Sequence, residues 1–534
     1  MLSTTDKREH SASKSVQNLA SLIKEGIFKD GDAPLIFWSE AGINGITAGE
    51  IWQRAGRLAA GLRTRGLNKG DRIAIQVPNS LDGLTAFLAC TRLGLVIVPL
   101  VMSYGAHELD FIVGQSGSKA LITPGTIKGI DAAQRIASLK GGEALHTIIL
   151  IGGEQSEEPR AVSFDDLLNT ARFAPDDPDI PLNEIFVVIY TSGTTGGEPK
   201  GAIHTHETFG RELVCGADVW IPQGEQRAPL VIFPPGHIAG VAYSLMPIID
   251  GSGAVYMESW SPEAAARLIE HHSLAWTFGT PFHLTTLLEA ATTGQLKSLR
   301  MFGCGGASVP PTLIERADAE GIAAFRAYGS TEHPSISSGR HDDPLRVRAY
   351  TDGRPMPGVT VRIIDDQGRP CGTGEVGEIT TRGPDLFCGY LDGSRNAGAL
   401  VDGWYFTGDL GRIDQDGALT IVDRKKDIVI RGGENISSKE VEDIILQMPD
   451  VLAVAVVGWP DPQYGERVAA FVQTKEGTTV GLDKISAHFR SLQVARHKTP
   501  ERVIATDEFE RSAAGKILKV PLRARAAQLS AQEA

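Results

Sequence analysis

Helix-like and strand-like patterns alternate through the first four-fifths of this 534-residue chain, and this alternation is its strongest constraint on fold. Thr47-Ala-Gly-Glu50 is a plausible capping box, after which apolar residues recur at helical spacing as far as Leu62. Residues 72–77 and 96–101 are typical of strands, and residues 84–93 of a helix between them. This βαβα order predicts an α/β fold with mostly parallel sheets covered by helices.

The pattern changes in the last third of the chain. From about residue 352, short strand-like runs lie between Gly, Asp and Pro turns, and they predict a small antiparallel β unit. After Lys426, a helix capped by Ser437 alternates with further strand and helix patterns, which predicts a small α+β domain. We therefore expect a large N-terminal domain over residues 1–423, a hinge at 424–426 and a small mobile C-terminal domain over 427–534.

Composition narrows the class of protein. The chain is too long for a single hydrophobic core, which favours two or more domains. Its net charge of −13 argues against a nucleic-acid or anionic-membrane surface, and no apolar stretch is long enough to span a bilayer. The five cysteines are odd in number and lack metal-pair spacing, and the first residues lack the apolar core of a signal peptide. We expect reduced thiols and a cytoplasmic location. A homodimer is compatible with the sequence.

A glycine-rich loop is the most informative local feature. Residues 186–190 are typical of a buried strand, and the next residues read Thr191-Ser-Gly-Thr-Thr-Gly-Gly-Glu-Pro-Lys200-Gly. Glycines allow close backbone approach, while hydroxyl and N–H groups can donate to phosphate oxygens and Lys200 can add a charge. The Walker pattern is excluded, because Glu198 and Ala202 stand where it needs glycine and lysine. The loop predicts a polyphosphate site of another kind.

Four further motifs follow in order: Tyr328-Gly-Ser-Thr-Glu332, Trp404-Tyr-Phe-Thr-Gly-Asp409, Asp423-Arg-Lys-Lys-Asp427 with Gly432-Gly-Glu-Asn-Ile436, and Gly515-Lys516. Together with the loop, they resemble the motifs of the adenylate-forming (ANL) superfamily, and in particular the acyl-CoA synthetases of the AMP-dependent synthetase and ligase family. The resemblance covers roughly 330 residues. One departure is an extra residue between Gly196 and Lys200, which bears on the placement of Lys200.

The resemblance implies an ATP site. The phosphate loop would contribute Thr191, Ser192, Gly193, Thr194, Thr195 and Lys200, and the nucleoside would contact Gly305, Gly306, Ala307, Tyr328, Gly329, Thr331, Asp409 and Arg424. Tyr328 would stack on adenine. Asp409 would accept from the ribose hydroxyls, as suits a carboxylate that only accepts hydrogen bonds.

The resemblance also implies the chemistry. A carboxylate resists attack by a thiol, so it first attacks the α-phosphorus of ATP, releases pyrophosphate and gains AMP as a leaving group. Lys516, Glu332 and Thr191 would be catalytic: Lys516 neutralises charge at the α-phosphate, and Glu332 holds Mg²⁺. Rotation about Lys426 would then withdraw Lys516. The Gly432-Gly433 turn would take its place and leave room for the pantetheine arm of coenzyme A.

The acid pocket is less clear from the sequence. By resemblance it would be lined by Phe209, His237, Ile238, Phe278, Gly303 and His333. Because this set lacks a basic residue, we expect an apolar acid, which leaves medium-chain, alicyclic and aromatic acids open. The sequence thus predicts an acyl-CoA synthetase that uses ATP, Mg²⁺ and coenzyme A. Two alternatives stay open: an enzyme that loads a carrier protein, and a non-catalytic acyl- or nucleotide-binding protein.

Overall fold

The computed structural model describes residues 16–127, 129–137, 139, 144–152, 158–170, 179–191, 198–221, 228–511 and 517–533. The helices are α1 (Leu19–Lys29), α2 (Ala48–Thr64), α3 (Leu81–Leu93), α4 (Ala106–Ser116), α5 (Ala132–Ala137), α6 (Phe164–Thr170), α7 (His206–Trp220), α8 (Ile238–Asp250), α9 (Pro262–His272), α10 (Pro281–Ala290), α11 (Pro311–Ala319), α12 (Leu345–Tyr350), α13 (Ser438–Ile445), α14 (Leu482–Ser491) and α15 (Lys519–Glu533).

The strands up to residue 355 form the two large sheets and one short two-stranded sheet. They are β1 (Pro34–Ser39), β2 (Gly42–Thr47), β3 (Arg72–Ile75), β4 (Val96–Pro99), β5 (Ala120–Pro124), β6 (Thr126–Ile127), β7 (Ile130–Asp131), β8 (Thr147–Ile151), β9 (Ala161–Ser163), β10 (Ile185–Thr191), β11 (Lys200–Thr205), β12 (Pro229–Val231), β13 (Ala254–Met257), β14 (Trp276–Gly279), β15 (Met301–Cys304), β16 (Ala323–Tyr328), β17 (Ser337–Ser338) and β18 (Arg354–Pro355).

The remaining strands form the two smaller sheets. They are β19 (Thr360–Ile364), β20 (Gly377–Arg382), β21 (Leu400–Val401), β22 (Trp404–Ile413), β23 (Leu419–Arg424), β24 (Val429–Arg431), β25 (Glu434–Ile436), β26 (Val451–Asp461), β27 (Gly465–Thr474) and β28 (Arg502–Ala505).

Two large, mostly parallel sheets form the body of the protein, as the alternating pattern predicts. One has the strand order β11-β10-β4-β3-β5-β8-β9, and the other β18-β17-β16-β15-β14-β12-β13-β1-β2. Their central strands are parallel, while β11, β2, β17 and β18 pair antiparallel at the edges. The predicted capping box is also present, since the Thr47 hydroxyl and the Glu50 carboxylate each accept from the other's backbone N–H at the start of α2.

Two smaller antiparallel sheets follow, again as expected. The first has the order β19-β20-β22-β21 with β23 paired to β22, and the second β25-β24-β27-β26 with β28 paired parallel to β27. Buried apolar residues cover both faces of the second sheet, under α13 and α14 on one side and α15 on the other. This sheet therefore has its own hydrophobic core. Among the described residues, no helix is both long and apolar enough to cross a membrane.

A carboxylate joins the two parts of the chain. Asp423, at the end of β23, accepts from the Ser437 hydroxyl at 2.9 Å and from the Lys439 backbone N–H at 3.1 Å, at the N-terminus of α13. Its other oxygen accepts from the Ser438 hydroxyl at 3.4 Å. A negative charge at a helix N-terminus is favourable, so this contact stabilises the observed placement of α13.

Candidate active site

Two paired strands flank the glycine-rich loop in the sequence. Strands β10 and β11 pair antiparallel, with Thr191 opposite Lys200. The loop residues Ser192, Gly193, Thr194 and Thr195 lie outside the described part of the chain. A strand, and not a helix, therefore follows the loop, and α7 begins only after β11. The antiparallel register fixes where Lys200 lies despite the extra residue before it.

Lys200 on β11 and Glu332 both lie next to the side chain of Tyr390. Segment 388–391 pairs with β11, so that Tyr390 lies opposite Ala202. The Tyr390 hydroxyl donates to Glu332 Oε1 at 2.7 Å, and Lys200 Nζ lies 5.2 Å from the centre of the Tyr390 ring. Burial raises the pKa of Tyr390, and Glu332 raises it further, so the phenol stays protonated as a donor. Lys200, the candidate phosphate ligand, and Glu332, the candidate metal ligand, thus have Tyr390 as a common neighbour.

A buried polar network fixes the segment that carries Glu332. His204 Nε2 lies 2.8 Å from the carbonyl oxygen of Thr331. The two ring nitrogens of His333 lie 2.8 Å from Thr381 Oγ1 and 3.1 Å from Asp385 Oδ1. The imidazole of His333 is fully buried and holds this segment against β20. Its assignment to the acid pocket remains a prediction.

At the other end of the segment that carries Glu332, Tyr328 belongs to a second set of polar side chains. The Tyr328 hydroxyl donates to Asp409 Oδ2 at 2.6 Å, and Arg424 Nε lies 3.0 Å from Asp409 Oδ1. Asp409 and Arg424 face each other across the β22–β23 pair. Burial lowers the pKa of the Arg424 guanidinium, but Asp409 and Asp427 offset this and raise it overall. These three side chains, each predicted to contact the nucleoside, lie together.

Glycines allow the close approaches that this arrangement needs. A Cβ on Gly305 would lie 2.8 Å from the carbonyl oxygen of Ala327 on the neighbouring strand. A Cβ on Gly329 would lie 1.8 Å from the Pro334 carbonyl oxygen, so the turn after Tyr328 requires glycine. Gly306 has φ 77° and Ala307 follows it, half-buried, in the loop after β15.

The predicted hinge residues lie at the junction of the two parts. Lys426 is exposed, and Arg523 on α15 donates to its carbonyl oxygen at 3.4 Å while pairing with Asp427. Partial desolvation at the junction and the nearby Arg424 guanidinium lower the pKa of Lys426 to about 8, although the residue as a whole is exposed. The Lys425 backbone N–H donates to the Gly408 carbonyl at 2.9 Å. The Arg523 side chain on one side and the Gly408 backbone on the other therefore both contact the junction.

The small domain presents the predicted glycine turn. Gly432 and Gly433 have φ 57° and 92° and are exposed between β24 and β25. Lys516 lies outside the described residues, but its neighbours are placed: Arg511 pairs with Ile517, and α15 begins at Lys519. Lys519 Nζ lies 2.7 Å from Glu442 Oε1 and from Ser438 Oγ, which anchors α15 to α13.

Aromatic side chains dominate the region of the predicted acid pocket. The Tyr243 ring stacks on Phe278 with centroids 4.5 Å apart and planes 16° apart. Trp220 packs on Phe278 at 4.8 Å, and Phe233 stacks on Tyr243 at 5.8 Å. We call Trp220, Phe233, Tyr243 and Phe278 the aromatic cluster.

Other predicted pocket residues lie on α7, at the start of α8 and on β15. Phe209 is fully buried against Phe186 at 5.2 Å, and His237 and Ile238 begin α8, which carries Tyr243. A Cβ on Gly303 would lie 2.0 Å from Phe278 Cε1. Gly303 therefore makes room for the Phe278 ring, and its place in the lining of the acid pocket remains a prediction.

Sequence reasoning missed several polar residues of this region. Tyr390 lies outside every motif, and only the pairing of its segment with β11 brings it to Glu332. Glu212 is buried on α7 three residues after Phe209, and Ser335 donates to its Oε1 at 2.8 Å. An acidic residue on the apolar face of a helix is a signal that could have identified Glu212, because carboxylates are rarely buried.

Comparisons with known proteins identify the class of enzyme to which this chain belongs. The family model described as "AMP-binding enzyme" matches residues 27–391, and the one described as "AMP-binding enzyme C-terminal domain" matches residues 440–516. Among solved structures, ATP-bound MatB from Rhodopseudomonas palustris superposes with a TM-score of 0.85 at 28% identity, over 96% of this chain and 100% of that one. The family models and the fold define an adenylate-forming enzyme with an ATP site.

Curated relatives narrow the class further. A medium-chain fatty-acid–CoA ligase of Escherichia coli is 33% identical over 483 residues, which are 87% of this chain and 83% of that protein. A feruloyl-CoA synthase of Amycolatopsis sp. is 34% identical over 489 residues, which are 90% of this chain and 94% of that protein. The chain belongs to the AMP-binding enzyme family, within the AMP-forming acyl-CoA synthetases of the adenylate-forming superfamily.

Proposed function

We propose that this chain is an ATP-dependent acyl-CoA synthetase that activates an apolar carboxylic acid as an acyl-adenylate and transfers it to coenzyme A. One observation carries the proposal. The segment from Tyr328 to Glu332 has a nucleoside-type group at one end, with Asp409 and Arg424, and a phosphate-type group at the other, with Lys200. A single ATP could contact both groups.

The phosphate end fits a nucleotide with Mg²⁺. Lys200 supplies a positive charge, and buried Glu332 supplies a carboxylate whose orientation the Tyr390 hydroxyl fixes. Mg²⁺ is commonly bound through one or two carboxylates together with substrate phosphates, and Glu332 would supply the carboxylate here. Bound there, Mg²⁺ would neutralise phosphate charge.

The first half-reaction joins acid and nucleotide. A carboxylate oxygen of the acid attacks the α-phosphorus, a P–O bond forms, and the bond to pyrophosphate breaks. Thr191 and the other loop residues would hold the β- and γ-phosphates, and Lys516 would neutralise charge at the α-phosphate. Asp409 and Arg424 would hold the ribose in position. Preorganised charges of this kind supply most of the rate enhancement in such reactions.

The second half-reaction transfers the acyl group. The thiol of coenzyme A attacks the acyl carbon, AMP leaves, and the thiol proton is released. We propose that the small domain rotates about Lys426 between the two steps, so that the exposed Gly432-Gly433 turn replaces Lys516 at the site. The absence of side chains on this turn leaves room for a pantetheine arm.

Pyrophosphate exchange tests the first step. The protein is incubated with ATP, labelled pyrophosphate and a panel of medium-chain, alicyclic and aromatic acids, and acid-dependent label in ATP is expected. Asp409→Asn should abolish most of the exchange. Asp366→Asn is a matched control, because Asp366 is an exposed carboxylate that only pairs with Lys425 at 3.4 Å. Absence of exchange with every acid would contradict adenylation and favour a binding protein.

An acceptor swap tests the second step. Acids that support exchange are offered with coenzyme A or with phosphopantetheinyl carrier protein, and thioester formation is followed by mass spectrometry. We expect product with coenzyme A. Product with the carrier alone would instead identify an enzyme that loads a carrier.

A further inference from the structure

The segment that carries Glu332 is irregular in structure. It lies between the end of β16 at Tyr328 and the start of β17 at Ser337, and its residues 329–336 belong to neither strand. A carboxylate that binds Mg²⁺ must be placed accurately, because Mg²⁺ demands nearly ideal octahedral geometry at about 2.0–2.1 Å. Functional side chains are held to within about 0.5 Å by the packing and hydrogen bonds around them. Contacts from other parts of the chain must therefore position Glu332.

Three consecutive residues of this segment are each bonded to a distant part of the chain. The carbonyl oxygen of Thr331 lies 2.8 Å from His204 Nε2. The carbonyl oxygen of Glu332 accepts from the Phe387 backbone N–H at 2.8 Å. The third residue, His333, is held through its side chain. Glu332 is thus fixed by bonds to its own backbone and to both of its neighbours.

The imidazole of His333 is fully buried, and both of its nitrogens have a partner. Nδ1 lies 2.8 Å from Thr381 Oγ1, and Nε2 lies 3.1 Å from Asp385 Oδ1. Thr381 is also fully buried, on strand β20, which pairs with β19 on one side and with β22 on the other. The ring therefore connects the Glu332 segment to a strand in the interior of a sheet. This connection uses both ring nitrogens and leaves neither of them for the carboxylic acid substrate.

Asp385 is closely fitted to this ring. It is only 4% exposed, and within the described residues its second oxygen, Oδ2, is buried without a hydrogen-bond partner. A Cβ on Gly383 would lie 2.9 Å from His333 Nε2 and 3.1 Å from Asp385 Oδ1, so glycine there leaves the space in which the two groups meet. Burying a carboxylate with an unpaired oxygen costs free energy. The contact between Asp385 and His333 thus comes at a cost to stability, which is typical of functional sites.

Two sets of contacts control different parts of the position of Glu332. The Tyr390 hydroxyl donates to Glu332 Oε1 at 2.7 Å and so orients the end of the side chain. The bonds from the His333 ring instead fix the backbone from which that side chain extends. A bond to the carboxylate can hold it in the right place only while this backbone also stays in place.

We propose that His333 and Asp385 are positioning residues that hold Glu332 where its carboxylate binds Mg²⁺ together with ATP. This inference rests on the proposed acyl-CoA synthetase function and concerns the same site. Residues that orient a metal ligand typically contribute about 10–100-fold to metal affinity, although they do not touch the metal. His333 then acts on metal and nucleotide binding, which differs from its predicted place in the acid pocket.

Equilibrium binding of a nucleotide tests the inference without catalysis. Isothermal titration calorimetry measures Kd for an ATP analogue with a methylene group between its α- and β-phosphorus atoms, once with Mg²⁺ and once with EDTA. The measured quantity is Kd with EDTA divided by Kd with Mg²⁺. We expect this ratio to be well above one in the parent and about tenfold lower in His333→Ala and in Asp385→Ala. The KM for the acid in pyrophosphate exchange at saturating Mg²⁺ should stay close to the parental value.

Further variants test the individual contacts, and they decide the question if His333→Ala does not fold. Asp385→Asn keeps an oxygen acceptor for the ring and should keep most of the parental ratio. Gly383→Ala places a methyl group against the ring and the carboxylate and should lower the ratio. Gly45→Ala is the matched control, since a Cβ there meets no atom within 4 Å. If Asp385 acts through the ring, Asp385→Ala should have no further effect on the ratio in a His333→Ala background.

The outcomes are separable from those for the proposed function. If the Asp385→Ala and Gly383→Ala proteins are folded by circular dichroism and keep the parental ratio, the inference is overturned, even where their melting temperatures fall. A raised KM for the acid with an unchanged ratio in His333→Ala also overturns it and places His333 in the acid pocket. A parent that binds the nucleotide equally well with and without Mg²⁺ contradicts the role of Glu332 and the inference with it. A parent that neither binds nucleotide nor catalyses exchange refutes the proposed function itself.

Discussion

Replacing Gly303 with alanine should disturb the aromatic cluster. The added methyl would lie 2.0, 2.3 and 2.5 Å from three atoms of the Phe278 ring. Carbon atoms pack at about 3.5–4.0 Å, so the ring would have to move by roughly 1.5 Å. It is not free to do so, because Tyr243 stacks on one face at 4.5 Å and Trp220 packs against it at 4.8 Å.

The size of the effect follows from this crowding. Overpacking a well-packed core costs about 1–3 kcal/mol. For a domain of about 420 residues, that corresponds to a fall in melting temperature of roughly 1–3 °C. Because the displaced ring belongs to the proposed acid pocket, kcat/KM should also fall for bulky acids. Melting is followed by scanning fluorimetry, and kcat/KM by thioester formation.

A double-mutant cycle isolates the cause. In a Phe278→Leu background the ring is absent, so adding Gly303→Ala should cost at least 1 kcal/mol less than in the parent, a coupling typical of contacting residues. Gly45→Ala is the control, since a Cβ there meets no atom within 4 Å. Equal effects of Gly303→Ala in both backgrounds, or no effect in the parent, would show that Phe278 does not fill the space beside Gly303.

Four other predictions concern the ends of the site, the hinge and the buried acid. Tyr390→Phe removes the 2.7 Å bond to Glu332, so we expect adenylation to fall about tenfold and to recover partly at high Mg²⁺; a magnesium titration of the exchange rate checks this. Lys516→Ala should lower adenylation about 10²–10³-fold yet spare transfer from prepared acyl-adenylate, and equal losses in both half-reactions would count against its role. Lys426→Pro should slow thioester formation far more than adenylation in single-turnover assays; equal rates with the parent would place the pivot elsewhere. Because the pKa of Glu212 is raised to about 8, its stabilising effect is complete at low pH and is lost as pH rises from about 4.3 to 8, so the melting temperature of Glu212→Gln relative to the parent should increase over that range.

Local patterns in the sequence predicted most of the fold. The strand expected at residues 186–190 is β10, Ile185–Thr191, and the capping box at Thr47 starts α2 as expected. These elements depend on periodicity and on end signals within a few residues, which the sequence shows directly. The antiparallel return of β11 was not predicted, because strand direction depends on partners far along the chain.

The candidate site was only partly predictable for the same reason. Motifs identified Glu332 and Asp409, whose neighbours in sequence carry the pattern. The pairing of Tyr390 with Glu332 spans 58 residues and depends on the register between segment 388–391 and β11. Glu212 was missed because only basic residues were considered as polar members of the acid pocket. In addition, no local sequence pattern shows that its hydrogen-bond partner is Ser335.

The Asp423 contact also bears on how often the two domains change orientation. A rotation about residues 424–426 that carries α13 away from β23 must break the bonds from the Ser437 and Ser438 hydroxyls and from the Lys439 N–H. If each is worth about 1 kcal/mol, together they favour the observed orientation by roughly a hundredfold in population. Without substrates, the enzyme would then be almost entirely in the observed orientation. The small population of the rotated orientation would limit the rate of turnover. Asp423 would then determine how strongly the observed orientation is favoured, although it contacts neither substrate.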